Sequence, residues 1–365
     1  MHITIFIGNL SGGGAERVVC NLSNYLVSKG EEVTILTMSS GEPAYELDKD
    51  VEQVALYDEF DTNNKFIKNI KRFFRIKQFI KNNDNTDIYI VMLPITILLL
   101  LHFRRMIKVP IIISERGDPV TRYANSKIHY LLMKYFYPKA DNYVFQTKEA
   151  KDFYANYING EGTVIPNAIN KEFFHVSNSI HKSKRIIASG RLNKQKNFEL
   201  LIRSFSNILE IHPEWKLEII GEGPERKNLE ELIQTLNLQN HVFMPGYVEK
   251  VIEHLVNSSI FVMPSNYEGM PNALIEAMAL GLPSISTDCE IGGPRFLIDD
   301  GKNGLLVPVN NQKKMTESIN KLVNDPIFAE RLGANASLIK EQLAPKIIYS
   351  KWHETISETI KEKNI

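Results

Sequence analysis

The sequence predicts an α/β protein built from two doubly wound parallel-sheet domains that face a cleft. Its 365 residues exceed what one hydrophobic core usually organises. Short apolar runs alternate with helical segments along the chain, and a loose polar segment near the middle separates two such series. The expected divisions are an N-terminal domain at 1–168, a linker at 169–183, a C-terminal domain at 184–344 and a helical tail at 345–365.

The first series opens with a strand, a glycine-rich turn and a helix. Residues 2–8 read as a strand, the following helical pattern ends at Gly30, and 32–38 read as a second buried strand. The turn carries glycines at 12–14, where backbone N–H groups can approach a ligand, although any tight strand-to-helix connection uses glycine in this way. The turn lacks G-x-G-x-x-G and no acidic residue follows the second strand, which argues against a nicotinamide dehydrogenase.

Further apolar runs predict the remaining strands. In the first series they lie at 87–93, 109–115 and 141–147, and Thr147 is a favourable helix start. The second series has runs at 185–189, 216–221, 241–245, 260–264, 283–287 and 305–309. Parallel strands joined by helices place ligands at the carboxyl ends of the strands.

Composition excludes several classes of protein. Forty-three basic and forty-three acidic residues leave no net attraction to nucleic acid. The two cysteines, Cys20 and Cys289, fit neither a disulfide framework nor a zinc site, which favours a reducing compartment. The apolar run at 88–101 is interrupted by Pro94 and is shorter than the ~20 residues of a membrane span. We expect a cytoplasmic protein, with peripheral attachment to the inner face of the membrane left open.

One predicted helix has charge of a single sign. Residues 65–81 contain seven basic residues and no acidic one, with an apolar stripe at Phe66, Ile70, Phe73 and Ile80. Such a helix packs its stripe on the domain, and its cations suit an anionic bilayer or an acidic ligand such as pyrophosphate. The candidate contacts are Lys68, Lys71, Arg72 and Arg75.

The stretch 264–283 reads as the end of a strand, a polar loop and a helix that stops at Gly281. Glu268 in the loop and Glu276 in the helix lie eight residues apart around the helix start, whose free N–H groups form an anion site. One helix end therefore offers amides to a phosphate and a carboxylate to hydroxyl groups. The alternative is a buried crossover in which a nearby basic residue satisfies Glu276.

Two cations stand at the carboxyl edge of the first strand of the second series. Arg191 follows the strand at 185–189, and Lys196 lies five residues later, before a helix that begins near Asn197. An arginine can bind phosphate oxygens in a bidentate manner and a lysine adds a compact charge, so the pair suits a diphosphate. Alternatively, one or both are solvated loop residues.

These features together resemble a known family. The segments GRLNKQKN at 190–197, SNYEGMPNALIEAMALGLP at 265–283, GGGAERVV at 12–19 and VIPNAIN at 164–170 are similar to the GT-B-fold retaining glycosyltransferases of family 4. The paired glutamates with the upstream basic pair are the most specific part. The resemblance implies two Rossmann-like domains, acceptor-binding then nucleotide-sugar-binding, and a C-terminal helix that crosses back to the first.

The resemblance also implies roles for residues. Arg191 and Lys196 would bind and stabilise the donor diphosphate, Glu276 would bind the ribose hydroxyls, and Glu268 would face the transferred sugar. Attack from the front side, with the donor phosphate taking the acceptor's proton, would need neither metal nor other cofactor. The implied donor contacts are Gly13, Gly14, Tyr247, Val248, Gly269, Met270, Pro271, Asn272, Ala273 and Glu276.

One loop departs from the family. Many relatives carry a histidine after the strand that matches 109–115, whereas this chain reads SERGDP at 114–119. No catalytic histidine is assigned. Arg116 is a candidate acceptor or sugar contact, and Asp118 equally suits a turn before Pro119. The loop containing Asp288, Cys289, Gly293 and Pro294 reads first as a turn and second as a sugar contact.

The expected function is transfer of a hexosyl or N-acetylhexosaminyl group from a nucleotide diphosphate sugar, with UDP as the expected nucleotide, to a glycan or lipid-linked acceptor in surface polysaccharide assembly. Two alternatives stay open, a nucleotide-sugar epimerase of the same architecture and a non-catalytic nucleotide-sugar-binding protein. The expected partners are the nucleotide sugar, a glycan or polyprenyl-diphosphate-linked acceptor and an anionic membrane surface, without nucleic acid.

Overall fold

The computed structural model describes residues 1–56, 65–83, 85–120, 126–174, 176 and 183–363. The chain divides into two compact units, one formed by Met1–Ala168 with Lys346–Ile365 and the other by Ile169–Pro345. Seven of the fifteen residues of the predicted linker at 169–183 lie outside the described residues.

Unit 1 is built on a parallel sheet that, within the described residues, has seven strands. Its order is β3-β2-β1-β4-β5-β6-β7. The strands are His2–Ile7 (β1), Glu32–Thr37 (β2), Val51–Ala55 (β3), Ile88–Met92 (β4), Ile111–Ser114 (β5), Asn142–Phe145 (β6) and Thr163–Val164 (β7). The interior strands are almost fully buried, because helices cover both faces of a parallel sheet, and they read as continuous apolar runs.

The helices of unit 1 follow the strands as the apolar periodicity predicts. They are Gly14–Val27 (α1), Lys65–Asn82 (α2), Pro94–His102 (α3), Lys127–Phe136 (α4) and Lys148–Tyr154 (α5), with short 3-10 turns at Tyr137–Lys139 and Ala155–Tyr157. Thr147 caps α5 by accepting a hydrogen bond from the N–H of Ala150, as a helix start requires. Pro94 opens α3, so the apolar run at 88–101 is a buried strand followed by a helix.

The predicted apolar stripe of α2 is correct in part, because Ile80 is buried and Phe73 is half-buried. Ile76, Phe79 and Ile80 are the buried members, whereas Ile70 is 43% exposed. The segment has more apolar residues than one face can hold, so periodicity alone does not identify the buried face. Phe66 lies among the residues whose side chains are outside the described part of the chain.

Unit 2 repeats the same winding with a six-stranded parallel sheet, counted over the described residues. Its order is β10-β9-β8-β11-β12-β13. The strands are Arg185–Ser189 (β8), Lys216–Ile220 (β9), Val242–Gly246 (β10), Ile260–Met263 (β11), Ser284–Thr287 (β12) and Leu305–Val307 (β13). The core on this sheet includes Ile186, Leu201, Phe205, Leu217 and Val262, all fully buried.

The helices of unit 2 alternate with its strands. They are Lys171–Phe174 (α6), Phe198–Leu209 (α7), Arg226–Thr235 (α8), Val251–Val256 (α9), Asn272–Ala279 (α10), Gly293–Leu297 (α11), Gln312–Asn324 (α12), Pro326–Ala336 (α13) and Ile339–Gln342 (α14). The two parallel sheets confirm the predicted class of two doubly wound α/β domains.

The strand order of unit 2 reverses between β8 and β11. The chain winds outward from β8 through β9 to β10, then returns so that β11 pairs with the other side of β8 through Ile186 with Ile260 and Ile187 with Phe261. Adjacent loops that leave such a switch point in opposite directions open a crevice at the carboxyl ends of the strands, where ligands bind in doubly wound sheets. The loops after β8 and β11 are therefore where a ligand is expected.

The last helix, Pro345–Lys363 (α15), completes unit 1 rather than unit 2. Trp352 is fully buried, His353 Nε2 lies 2.7 Å from Glu31 Oε1, and Asn142 Nδ2 donates to Thr359 Oγ1 at 2.8 Å. Lys363 Nζ adds an ion pair with Asp141. These contacts attach the end of the chain to the residue before β2 and to the start of β6.

Helix length and hydropathy also bear on membrane contact. Over the residues that the structure describes, no helix is long and apolar enough to cross a bilayer.

Candidate active site

The loop after β8 begins where two strand ends approach each other closely. A Cβ atom at Gly221, which follows β9 with φ of +142°, would lie 1.9 Å from the carbonyl oxygen of Gly190. Only glycine allows the chain to pass at that distance. Arg191 comes next and is exposed, and its side chain makes no hydrogen bond to the described residues.

Several hydrogen bonds that involve backbone carbonyls join the loops after β8 and β11. Asn266 N donates to the carbonyl of Gln195 at 2.7 Å, and Asn266 Nδ2 donates to the carbonyl of Lys194 at 2.8 Å. Gln195 Nε2 returns a hydrogen bond to the carbonyl of Tyr267 at 3.0 Å. The two loops that leave the switch point are thus held as one body, which fixes the side chains they carry.

Lys196 and Glu268 meet across this switch point. Lys196 Nζ lies 2.5 Å from Glu268 Oε1, and the two side chains are only 16% and 9% exposed. The same carboxylate oxygen accepts a hydrogen bond from Ser265 Oγ at 2.7 Å. Both contacts involve the charged carboxylate, and such hydrogen bonds are stronger than those between neutral groups. Together they fix the orientation of the Glu268 carboxylate.

The end of β12 supports Ser265 from behind. Thr287 Oγ1 donates a hydrogen bond to the carbonyl of Ser265 at 2.5 Å, and Cys289 Sγ lies 3.6 Å from the same oxygen. Both side chains are fully buried. Cys289 therefore packs inside the domain, and Glu268 is positioned by residues from three adjacent strand ends.

Helix α10 carries the second glutamate. Pro271 is its N-cap, and among the described residues no side chain caps its first turn. The helix ends in a Schellman motif, because Gly281 N donates to the carbonyl of Met278 and Leu282 N to that of Ala277. Glu276 is 8% exposed, so a carboxylate lies buried on the helix that begins at the ligand-binding edge of the sheet.

Most of the predicted donor contacts lie in the same loop and helix start. Gly269, Asn272 and Ala273 are partly exposed, whereas Met270 and Pro271 are buried. Backbone N–H groups at this helix start point toward the carboxyl edge of the sheet, where an anion is stabilised by the helix dipole. The predicted residues therefore form one continuous segment beside Glu268.

The loop after β12 packs directly on that segment. A Cβ atom at Gly293 would lie 1.6 Å from the carbonyl oxygen of Gly269. Asp288 forms a bidentate pair with Arg295, through Nε and Nη2 at 2.8 Å each. These contacts agree with turn chemistry, the first of the two interpretations of this loop.

We expect Gly293→Ala to destabilise unit 2, because the new methyl group must displace the backbone of Gly269. Overpacking of this kind costs about 1–3 kcal/mol. Thermal unfolding of the variant measures the change. Gly8→Ala is the control, since a Cβ there meets no heavy atom within 4 Å. Equal melting temperatures for the two variants would contradict the close approach at Gly293.

Tyr247 and Val248 lie directly after β10. Tyr247 is 84% exposed, and Gly246 before it turns the chain with φ of +88°. Arg226 Nη2 donates to the carbonyl of Met244 at 3.1 Å and braces the end of this strand. An exposed aromatic ring at the carboxyl end of a strand is available to stack on a planar ligand.

Gly13 and Gly14 begin α1 in unit 1. Gly13 is the N-cap with φ of +155°, and a Cβ on it would lie 2.4 Å from Glu16 Oε2. Gly13 N donates to Tyr45 Oη at 3.4 Å. The glycines therefore allow a tight turn at the carboxyl end of β1, and donor contact by them stays a prediction.

The SERGDP loop is folded into the interior of unit 1. Arg116 donates from Nη1 to Asn167 Oδ1 at 2.9 Å and lies over the ring of Trp352, with 5.3 Å from Cζ to the ring centroid. Burial lowers the pKa of the Arg116 guanidinium to about 10. Asp118 Oδ1 accepts from the N–H of Val120, as a turn residue does. The described contacts of Arg116 are structural, and its acceptor role stays a prediction.

The basic residues of α2 are described in part. Lys71, Arg72 and Arg75 are partly exposed, and Arg75 Nη1 donates to the carbonyl of Leu56 at 2.8 Å. The side chain of Lys68 lies outside the described part of the chain. Arg75 thus has a structural contact that its charge alone did not indicate.

Sequence reasoning missed three residues of this site, Ser265, Gln195 and Asn266. Ser265 was detectable as a hydroxyl three residues before Glu268 at the end of a buried strand.

The sequence did not predict metal ligands. Across the described residues, no group of three or more His, Cys, Asp and Glu side chains is arranged to hold a metal ion.

Comparison with known proteins agrees with the geometry. The model for glycosyl transferases group 1 matches residues 170–338, and that for glycosyltransferase family 4 matches 12–173. The chain is 30% identical, over 88% of its length and 90% of the relative, to the N-acetylgalactosamine-N,N'-diacetylbacillosaminyl-diphospho-undecaprenol 4-alpha-N-acetylgalactosaminyltransferase of Campylobacter jejuni. It is 28% identical to the amylovoran biosynthesis glycosyltransferase AmsD of Erwinia amylovora, over 97% of the chain and 99% of the relative.

Solved structures show the same architecture. Anabaena HepE in complex with UDP and glucose superposes with a TM-score of 0.82 at 17% identity, covering 98% of this chain and 100% of that one. Two doubly wound units, the paired glutamates and these matches lead to one conclusion: the chain belongs to glycosyltransferase family 4 and has the GT-B fold.

Proposed function

We propose that the protein transfers a hexosyl or N-acetylhexosaminyl group from a UDP-sugar, with retention of anomeric configuration, to a glycan or lipid-linked oligosaccharide. The observation that supports this most is the Lys196–Glu268 pair at the switch point of unit 2. A cation and an oriented carboxylate at the ligand-binding edge of one sheet suit a diphosphate and a sugar, which supports the proposal.

The donor fits the site as follows. Arg191 and Lys196 bind the diphosphate oxygens, helped by N–H groups at the start of α10. Glu276 accepts hydrogen bonds from the two ribose hydroxyls, since one carboxylate can serve a diol. Glu268 uses Oε2 for a sugar hydroxyl, because Oε1 is held by Lys196 and Ser265.

The reaction breaks the bond between the anomeric carbon and the diphosphate oxygen. The acceptor hydroxyl attacks on the same face, and its proton passes to the departing diphosphate. Lys196 and Arg191 stabilise the negative charge that grows on this leaving group. No metal ion takes part in the proposed reaction, so activity is expected to persist in EDTA.

The relatives support the choice of donor and acceptor. One is a transferase of N-acetylgalactosamine to a diphospho-undecaprenol-linked sugar, and another acts in amylovoran biosynthesis. A structural neighbour was solved with UDP and glucose. A lipid-linked diphosphate acceptor also suits the cations of α2, Lys71, Arg72 and Arg75 among them.

A donor screen tests the proposal. The purified protein is incubated with radiolabelled UDP-hexoses and UDP-N-acetylhexosamines, with and without a polyprenyl-diphosphate-linked oligosaccharide. We expect label to enter the acceptor in an α linkage from an α-linked donor. Formation of an epimeric nucleotide sugar would instead establish an epimerase, and binding without any product would establish a non-catalytic binder.

Glu276→Ala is expected to weaken UDP binding by about 2 kcal/mol, or roughly 30-fold, because two hydroxyls lose a charged acceptor. Isothermal calorimetry with UDP measures the change. Glu231→Ala is a matched control, since that carboxylate is 62% exposed on α8. Wild-type affinity for UDP in the Glu276 variant would refute the ribose assignment.

A further inference from the structure

Three neighbouring segments of unit 1 carry cations without any acidic residue. Helix α2 contributes seven basic residues between 65 and 81. The segment 94–108 adds Arg105 and Lys108, whereas its Arg104 is paired with Asp141, and the segment 126–139 adds Lys127, Lys134 and Lys139. The whole chain has equal numbers of acidic and basic residues, so this distribution is a strong local asymmetry.

The same region exposes large apolar side chains. On α4, Ile128 is 72% exposed, Leu131 is 62% exposed and Tyr135 is 65% exposed. Their spacing of three and four residues places them on one face of the helix. Phe74 of α2 is 61% exposed. Single exposed apolar residues are ordinary, whereas a helix face of three is typical of an interaction site.

A chain of aromatic rings connects the helices. Phe73 of α2 lies 5.1 Å from the ring of His102 and 4.6 Å from that of Phe103, at the end of α3. His102 lies 6.1 Å from Phe136 of α4, and Phe136 lies 4.9 Å from Tyr135. Contact of these rings shows that α2, the end of α3 and α4 pack side by side, so their exposed side chains lie in one region of unit 1.

We propose that this surface, called here the cationic face and defined by Phe74, Arg105, Lys108 and helix α4, docks on an anionic lipid bilayer. Ile128 and Leu131 enter the boundary between head groups and acyl chains. Lys127 and Lys134, both exposed, contact lipid phosphates. Tyr135, with Lys139 Nζ 3.6 Å from its ring centroid, sits at head-group level.

The charge pattern favours lipid over another occupant. A second copy of the chain would bring cations against cations on this face, which costs binding free energy. An anionic bilayer offers opposite charge over an extended plane and an apolar layer beneath it, matching both properties of α4. The inference goes beyond the proposed transferase activity and does not depend on it, because vesicle binding needs no nucleotide sugar.

Vesicle co-sedimentation tests the apolar part. The full chain should bind vesicles of phosphatidylcholine with phosphatidylglycerol and should not bind phosphatidylcholine alone. The triple variant Ile128→Ser, Leu131→Ser, Tyr135→Ser should lose at least about ten-fold in partition coefficient, since three apolar side chains no longer enter the bilayer. The matched control is Ile211→Ser with Ile327→Ser, which removes residues 65% and 82% exposed in unit 2.

Charge variants test the electrostatic part. Lys127→Gln with Lys134→Gln should lower the partition coefficient about five-fold per cation removed, and high salt should weaken wild-type binding. Lys227→Gln with Lys250→Gln, at positions 85% and 70% exposed in unit 2, is the control. Circular dichroism melts should show that all variants keep the wild-type fold.

Three results would overturn the proposal. They are equal binding of the wild type to both vesicle types, undiminished binding by the triple variant, and a wild-type dimer that the triple variant converts to a monomer in light scattering. UDP calorimetry on the same variants keeps the two proposals apart. Retained UDP binding with lost vesicle binding supports the cationic face, whatever the donor screen shows.

Discussion

Replacing Lys196 with alanine is expected to lower kcat by about 10²- to 10³-fold, with a smaller loss of donor affinity. The Lys196 side chain is 16% exposed and its ammonium group lies 2.5 Å from Glu268, so it acts in a largely dehydrated site. Charge on the departing diphosphate grows in the transition state, and a preorganised cation stabilises that charge more than the ground state. Steady-state kinetics with the donor found by the screen measure the split between kcat and KM.

Lys194→Ala is the matched control for this prediction. Lys194 lies two residues away in the same loop, is exposed, and contributes its carbonyl rather than its side chain to the bond with Asn266. The control should keep near wild-type kcat. A Lys196→Ala enzyme with unchanged turnover and a normal melting temperature would refute the leaving-group role.

Trp352→Ala is expected to lower the free energy of unfolding of unit 1 by about 3–5 kcal/mol. The indole is fully buried and among the largest fully buried side chains of the described chain. Its removal leaves a cavity beneath Arg116, whose guanidinium lies over the ring with Nε and Nη2 buried. Denaturant unfolding followed by circular dichroism measures the change.

Lys351→Ala provides the comparison, because that side chain is exposed on the same helix. We expect a change within about 0.5 kcal/mol. If both variants unfold at the same denaturant concentration, α15 does not stabilise unit 1. UDP binding by the Trp352 variant is measured as well, because retained binding would show that unit 1 is destabilised while the proposed donor site in unit 2 stays folded.

Much of the fold was predictable, because buried parallel strands read as continuous apolar runs between helical segments. Strand β3 gives no such signal, since Val51–Ala55 is an edge strand in which only Val51 is buried. Strand β7 has two residues and no detectable pattern. The buried face of α2 was predicted only in part, because Ile70 and Phe74, at 43% and 61% exposure, place apolar side chains outside the buried face.

The site could be predicted where residue chemistry and chain position coincide. Lys196 and Glu268 follow strands that the sequence reveals, and their pairing across 72 residues follows from the strand order. The bonds of Gln195 and Asn266 could not be predicted, because they join side chains to backbone carbonyls of another loop. The burial of Arg116 also needed the structure, since its neighbour Trp352 comes from the last helix.

The return of α15 to unit 1 affects the order in which a ribosome can produce finished domains. Unit 1 needs residues 346 onward, which are synthesised only after the whole of unit 2. Unit 2, at 169–345, is contiguous and can close its sheet as soon as it leaves the exit tunnel. We therefore expect unit 2 to reach its native state first. Unit 1 completes its core only after the ribosome has synthesised α15, which carries Trp352.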